Sequence, residues 1–457
     1  MKIIILGAGQ VGSTAAQQLA REQTNDVTVV DTRDEVLREL QDRLDIRTVS
    51  GNAAQPSTLL AAGTEGADLL VALTSSDEVN MVACQIAWTL FRTPTKIARI
   101  RSGDYYGRPE LFGDNAIPVD LAISPEQLVT DHVERLIRYP GSLQVLEFAE
   151  GRVLLVGVRA LKGGKLVGHK LQELRAHIPD REVRIAAIYR GGRSVLPEGD
   201  TTIEEHDEIF FVSAREDMRV VMNEFSTEQA SVRRVVIAGA GNIGFRLASA
   251  LEDRVQVKLI ERSHDRARRA AETLRNTLVL TGNAADEELL LEENIDDADV
   301  FIALTNAEEA NILSAMLAKK LGARRVMALI NKPSYAELME HGPIDIAISP
   351  QTVTIGALLE HVRRGDVVRV HSLRRGAAEA IEAIVHADGR RSQIAGRRID
   401  EIALPDGTTI GAVVRGSDVI MAHHDTVIEP EDHVILFLTD RRHVEDIGRL
   451  FQAGTSA

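Results

Sequence analysis

The sequence predicts an α/β fold: two Rossmann-like, doubly wound parallel-sheet domains, each followed by a small β-rich α+β domain. Three observations carry this expectation. The 457-residue chain repeats itself at long period. Each copy opens with a buried strand, a glycine loop and a helix, and each closes in short β-type runs joined by glycine turns. Aromatic residues make up only 4%, so the cores must be filled by Val, Ile, Leu and Ala, as parallel sheets require.

Four landmarks define the repeat. KIIILGAGQVG (2–12) returns as RVVIAGAGNIG (234–244), and SGNAAQ (50–55) as TGNAAD (281–286). VALTSSDEVN (71–80) returns as IALTNAEEAN (302–311), and AISP at 122–125 returns at 347–350. Their offsets of 232, 231, 231 and 225 are nearly constant and their order is kept, so half of the chain is a duplicate of the other half.

The elements follow in order. An apolar strand at 3–6 runs into Gly7-Ala8-Gly9-Gln10-Val11-Gly12, which opens a helix. Glycines at that spacing allow a tight turn and let the backbone approach a pyrophosphate seated on the helix N–H groups. The next strand, VTVVD, ends at Asp31, 19 residues past Gly12, where an acid accepts from a ribose 2′-hydroxyl. Asn52 closes a third strand, Thr74-Ser75 follow a fourth (DLLVALT), and Arg99 ends a fifth (KIARI). Carboxyl ends of parallel strands line the ligand crevice. The hydroxyls and amides there can bind ribose or phosphate, or cap the next helix, and the residues alone leave both roles open. Asp77 and Glu308 read as caps. Arg99 is placed to meet a phosphate or to form a surface ion pair.

After AISP, apolar residues at 128, 129, 133, 136 and 137 form one stripe of a crossover helix that ends at Tyr139-Pro140-Gly141. The stripes at 126–138 and 351–363 serve lobe–lobe or subunit contacts, or plain core packing. Glycine-rich hairpins then fill a small domain. The predicted boundaries are 1–124 for the first nucleotide domain, 125–142 for its crossover helix and 143–228 for its small lobe. The second copy divides into 229–349, 350–366 and 367–457.

The second site repeats the first with Gly239, Ala240, Gly241, Asn242, Ile243 and Gly244, then Glu261 17 residues on, Asn283 and Thr305-Asn306. At the Arg99 position the second copy is read as Ala328, with Lys332 as a substitute cation. An acid at the strand end repels a 2′-phosphate, so NAD(H) is favoured over NADP(H). The same acid suits the ribose of ATP or ADP. Asp31, facing a crevice, is expected to add little to packing.

Other chemistries find no support. A net charge of −15 opposes contact with nucleic acid or anionic lipid. The single Cys84 lies in an apolar helical run, which excludes an internal disulfide or a Cys-based zinc site. No run is long enough to span a membrane, and the N-terminal apolar run reads as a buried strand, not a signal peptide. No Tyr-x-x-x-Lys, phosphate-loop Lys or Ser/His/Asp set occurs, and His423-His424 lack a third ligand. An NAD-dependent oxidoreductase is the competing reading, and the missing proton donor weighs against it.

Strand–GxGxxG–helix, the strand-end acid, GNAA, LT-x-x-(D/E)-x-x-N and the AISP element together resemble the RCK, or KTN, regulatory domains of potassium channels and transporters. The likeness spans essentially the whole chain. It implies a non-enzymatic cytoplasmic regulatory subunit, peripheral on the inner face of the cell membrane. It further implies assembly into a homo-oligomeric ring, a tetramer, beneath a membrane potassium-transporter pore subunit. Nucleotide would bind along Gly7 to Val11, Asp31, Thr74-Ser75 and Arg99, and along Gly239 to Ile243, Glu261 and Thr305-Asn306. NAD(H) is the expected cofactor, with ATP or ADP as alternative occupants.

Overall fold

The computed structural model describes residues 1–21, 25–113, 115–179, 181–225, 231–339, 342–362, 367–373, 378–386, 394–439 and 443–451. The first nucleotide domain is built on β1 (Lys2–Leu6), β2 (Asp26–Asp31), β3 (Arg47–Ser50), β4 (Leu69–Ala72), β5 (Thr95–Arg99) and β6 (Leu121–Ile123). Their spatial order is β3-β2-β1-β4-β5-β6 and every pairing is parallel. Residues 3 to 6 of the central β1 are buried on both faces, which is why that strand reads as an unbroken apolar run. The chain reverses its strand order at β1/β4, so a crevice opens at the carboxyl ends beside the glycine loop.

The small lobe that follows is an antiparallel sheet of β7 (Ser142–Phe148), β8 (Val153–Arg159), β9 (Val183–Arg190), β10 (Arg193–Val195) and β11 (Glu208–Ala214), ordered β7-β8-β11-β9-β10. The second nucleotide domain has β12 (Arg234–Ala238), β13 (Gln256–Glu261), β14 (Leu278–Thr281), β15 (Val300–Ala303), β16 (Arg325–Leu329) and β17 (Ile346–Ile348). Its order, β14-β13-β12-β15-β16-β17, is that of the first. The second small lobe has β18 (Val367–Leu373), β19 (Ala378–Ile384), β20 (Thr408–Arg415), β21 (Asp418–Met421) and β22 (His433–Leu438), ordered β18-β19-β22-β20-β21. Strand for strand this is the topology of the first lobe.

The repeated AISP segment has a local physical reason. Ser124 caps the crossover helix Pro125–Arg138 by accepting from Gln127 N at 3.3 Å, and Pro125 fills the first helical position, where no N–H is needed. Ser349 accepts from Thr352 N at 3.3 Å in the same place on the helix Pro350–Val362.

The two crossover helices are exchanged. Pro125–Arg138 lies against the helix Asn242–Leu251, and its Val129, Val133 and Leu136 share a core with Ile237, Leu247 and Leu251 of the second domain. Pro350–Val362 lies against the helix Gln10–Leu19, with Ile355 and Leu358 in the core of Ile5, Ala15 and Leu19. The amphipathic stripes thus serve lobe–lobe contact. Each fully buried Val or Leu contributes about 1.5–3 kcal/mol, so each nucleotide domain depends on the other half for several anchors. The small lobes also meet: Phe148, Leu155 and Phe210 of one sheet form a common core with Leu373, Val414 and Phe437 of the other.

In each lobe a fully buried aspartate closes the turn that leads into β11 or β22. Asp207 takes a two-pronged contact from Arg190 at 2.8 Å on both oxygens, and Asp432 takes the same from Arg415 at 2.9 Å. Charge removed from water is tolerated there because each carboxylate is also bonded to a backbone N–H, Glu204 at 2.8 Å and Glu429 at 2.7 Å.

Candidate functional site

The three glycines of each loop have different reasons. Gly7 sits at φ +99° and Gly239 at +105°, the left-handed region that a side chain rarely adopts. A Cβ on Gly12 would lie 1.9 Å from the Gly7 carbonyl, and one on Gly244 lies 1.9 Å from that of Gly239, so both are forced by the turn itself. Around Gly9 and Gly241 nothing lies within 4 Å of a Cβ. The fold itself does not demand glycine there, and the space over both positions is open. The helices that start at Gln10 and Asn242 carry no side-chain cap, so their first-turn N–H groups face that space.

The strand-end acids are tied to the loops. Asp31 Oδ2 accepts from Ala8 N at 2.6 Å, and its Oδ1 accepts from Arg33 N at 2.9 Å and Arg33 Nε at 3.1 Å. Glu261 Oε2 accepts from Ala240 N at 2.8 Å and its Oε1 from Ser263 N at 2.8 Å, with Arg266 at 3.0 Å. Burial pushes both carboxyls up, but the hydrogen bonds from Arg33 and Ala8, and from Ser263, Ala240 and Arg266, outweigh it and hold both below the ordinary carboxylate values. Both acids are therefore charged acceptors at neutral pH. The side chain of Asp31 is only 10% exposed, so it braces the glycine loop as well, contrary to the expectation of little packing.

Thr74 and Thr305 turn inward. Asn80 is fully buried; its Oδ1 accepts from Thr74 N at 3.0 Å and Oγ1 at 2.7 Å, while its Nδ2 donates to the Arg99 carbonyl at 2.9 Å. Asn311 repeats this with Thr305 (2.9 and 2.6 Å) and the Leu329 carbonyl (3.0 Å). Each asparagine latches the end of the fourth strand to the end of the fifth. The threonine hydroxyl protons belong to that latch, and Ser75 and Asn306 are left exposed at the rim. The recurring Asn six residues after Thr was the sequence signal for this role. Asn52 and Asn283 form Asx turns to Ala54 N (2.9 Å) and Ala285 N (3.1 Å) on the exposed edge. Asp77 and Glu308 do not cap. Asp77 Oδ2 accepts from Arg101 N (2.9 Å) and Ser102 N (2.8 Å), and Glu308 accepts from Asn331 N and Lys332 N, fixing the loops after the fifth strands.

Arg99 lines a cavity of about 210 Å³ between the two halves. Gly9, Gln10 and Val11 form one wall, Ile243 and Asn331 the opposite one, and Glu126 and Gln351 mark the two crossover helices. Burial, with the like charge of Arg101, lowers the Arg99 guanidinium from its usual value, and its Nε has no hydrogen-bond partner. Glu126 is paired with Arg101 at 2.7 Å. A half-buried cation beside an open glycine loop and an uncapped helix start fits a phosphate-bearing ligand.

The second site departs at this point. Ala72 pairs with Ala98 and Ala303 with Ala328, so the counterpart of Arg99 is Leu329, one residue beyond the Ala328 read from sequence. Lys332 does not replace it. Its ammonium contacts Glu309 at 3.3 Å and lies over the Tyr335 ring at 4.5 Å.

Fold and site together define a duplicated Rossmann-type protein of the RCK class. The TrkA-N domain family matches residues 3–125 and 235–350, and the TrkA-C domain family residues 155–226 and 390–452. Trk system potassium uptake proteins TrkA from Halomonas elongata, Vibrio alginolyticus and Haemophilus influenzae are 59%, 56% and 50% identical, each comparison covering 99% of both chains. The chain belongs to this TrkA family, so it is a regulatory subunit of potassium uptake and not an enzyme. Its fold also matches the GsuK RCK domain (TM-score 0.60, 17% identity, 99% and 95% covered) and the GsuK channel bound to NAD (0.61, 18%, 98% and 78%). Among the described residues no helix is long and apolar enough to cross a membrane.

Proposed function

We propose that this chain binds NAD(H) at the first site, along Gly7 to Gly12, Asp31 and Arg99, and uses occupancy to gate a membrane potassium transporter. The observation that carries the reading is the unpartnered Nε of Arg99 beside the open face of Gly9. NAD in the GsuK channel, of the same fold, is consistent with it. The second site, Gly239 to Gly244 with Glu261, has Leu329 and no guanidinium at the carboxyl end of the fifth strand, and takes ATP or ADP, or stays empty.

Gating follows from where the cavity lies. A ligand shifts an equilibrium only by its differential affinity for two states. One wall of this cavity belongs to the second half, so its affinity depends on how the halves sit. The exchanged helices transmit that change to the small lobes. In this reading the subunit is cytoplasmic, and several copies form a ring on the inner face of the membrane, against the pore subunit. Calorimetry with NADH, ATP and ADP tests the ligand, and potassium flux through the reconstituted transporter, with and without nucleotide, tests the gate. Flux indifferent to this subunit at saturating nucleotide excludes gating, and substrate-dependent NADH oxidation at enzyme-like rates excludes sensing.

A further inference from the structure

The first small lobe holds a cluster that nucleotide binding does not use. His169, Glu173 and His177 stand four residues apart, the last two on the short helical segment Leu171–His177 and His169 just before it, and one ligand atom from each lies within 4.8 Å of the other two. His169 Nδ1 is 2.8 Å from Glu173 Oε2, and the two imidazoles meet edge to face at 5.7 Å. Glu224, only 2% exposed and carried on the helix Met218–Phe225, places Oε2 3.3 Å from His177 Nδ1, while its Oε1 takes Lys165 at 2.8 Å. A carboxylate on one imidazole nitrogen fixes the ring and leaves the other nitrogen free to coordinate, which is the usual second layer of a metal site.

We propose that His169, Glu173 and His177 bind a transition-metal dication of the Zn²⁺ class, with Glu224 positioning His177. Two imidazoles and a carboxylate suit Zn²⁺, whereas Ca²⁺ and Mg²⁺ require oxygen sets. Ligands about 2.0–2.2 Å from a tetrahedral ion stand roughly 3.4 Å apart, so the present spacing closes by side-chain rotation alone. Solvent reaches His169 and Glu173, and the fourth position stays open to water.

The other lobe supplies an internal control. Gly168 N bonds to the Ile203 carbonyl (2.8 Å) as Gly396 N bonds to that of Ile428 (2.7 Å), which aligns the two segments. Glu173 and Glu401 both accept from the backbone of the residue three before, Lys170 N at 3.3 Å and Arg398 N at 3.1 Å. That glutamate is a shared structural cap. At the two histidine positions the second lobe has Arg397 and Pro405, which cannot ligate. The histidines are therefore an addition in one lobe to a framework both lobes possess. A bound ion joins the segment 169–177 to the helix Met218–Phe225, the last element before the second nucleotide domain among the described residues.

The test uses the metal-stripped full chain titrated with ZnCl₂ by calorimetry, repeated with Co²⁺ for the visible absorption of a four-coordinate site. One equivalent is expected to bind and to raise the melting temperature, and the double variant His169→Ala/His177→Ala loses both effects. Glu224→Gln should weaken binding by about 10–100-fold with the stoichiometry unchanged. Circular dichroism of each variant without metal checks folding, and His177→Gln serves as a milder substitute. Equal zinc uptake by wild type and the double variant, or no uptake by wild type, overturns the assignment.

Discussion

Arg246 Nη2 donates to the carbonyl of Arg101 at 2.8 Å, joining the first helix of the second nucleotide domain to the fifth-strand exit of the first. Its Nη1 reaches Gln127 Oε1, on the crossover helix, at 3.2 Å. Arg101 N is held by Asp77, and Arg101 Nε by Glu126. A continuous polar chain therefore runs from Asp77 through Arg101 to Arg246 beside the cavity that Arg99 lines.

Arg246→Ala removes both cross-domain contacts while touching neither glycine loop. Loss of two such bonds should lower the unfolding free energy by about 1–3 kcal/mol, read as a shifted urea midpoint at constant slope. Because Arg246 couples the halves, the nucleotide response of potassium flux should fall more than NADH affinity does. Equal losses in both would make it a binding residue instead.

The three loop glycines should separate cleanly. Gly12→Ala places a methyl carbon against the Gly7 carbonyl, so the purified protein should melt well below wild type or fail to fold. Gly9→Ala meets no protein atom, so its melting temperature without ligand should stay within a degree or two. Its methyl group occupies the approach to the helix N–H groups, and NADH affinity should drop roughly 10–100-fold, about 1.4–2.8 kcal/mol. A Gly9→Ala protein that binds NADH as tightly as wild type places the pyrophosphate elsewhere.

The Rossmann sheets were legible because their signals are local. A strand, three glycines and an acid lie within 31 residues, and duplication printed each signal twice. The exchange of crossover helices was not legible, since the stripe at 128–137 is equally apolar whether it covers its own domain or the other. The Arg99 counterpart slipped by one residue for a related reason. VMALI is buried throughout, so its apolar pattern fixes no register, and only pairing with Ala303 does. Thr74 shows a third limit: a hydroxyl at a strand end looks free until the partner six residues on is folded against it.

Asn80→Ala tests that latch. Asn80 is fully buried and serves Thr74 and the Arg99 carbonyl, so its loss strands several polar groups away from water. The expected cost is about 2–4 kcal/mol in chemical denaturation. Asn311→Ala should cost about as much, because its contacts are the same. In both variants the fifth-strand end loses its tether, but only the first carries Arg99, so Asn80→Ala alone should also weaken NADH binding at the first site.

Asp31 sets a pH limit whose direction follows from its environment. Its folded-state pKa lies below the unfolded value of about 3.9, so its contribution is complete above that value and disappears as pH falls through the folded pKa. The same holds for Glu261 against its own unfolded value of about 4.3. Between pH 8 and pH 5 neither acid should alter stability or NADH affinity, and both should decline only on the acid side. Asp31→Asn cannot reproduce the wild-type contacts, because both oxygens accept from backbone N–H groups, Oδ1 from Arg33 and Oδ2 from Ala8, and an amide keeps one acceptor. It should lower NADH affinity about 10–100-fold at pH 7 and shrink the acid limb of the stability profile. Glu261→Gln should shrink that limb too, yet leave NADH affinity at the first site unchanged. If Glu261→Gln were the variant that abolished NADH binding, the two halves would have to exchange the roles assigned to them.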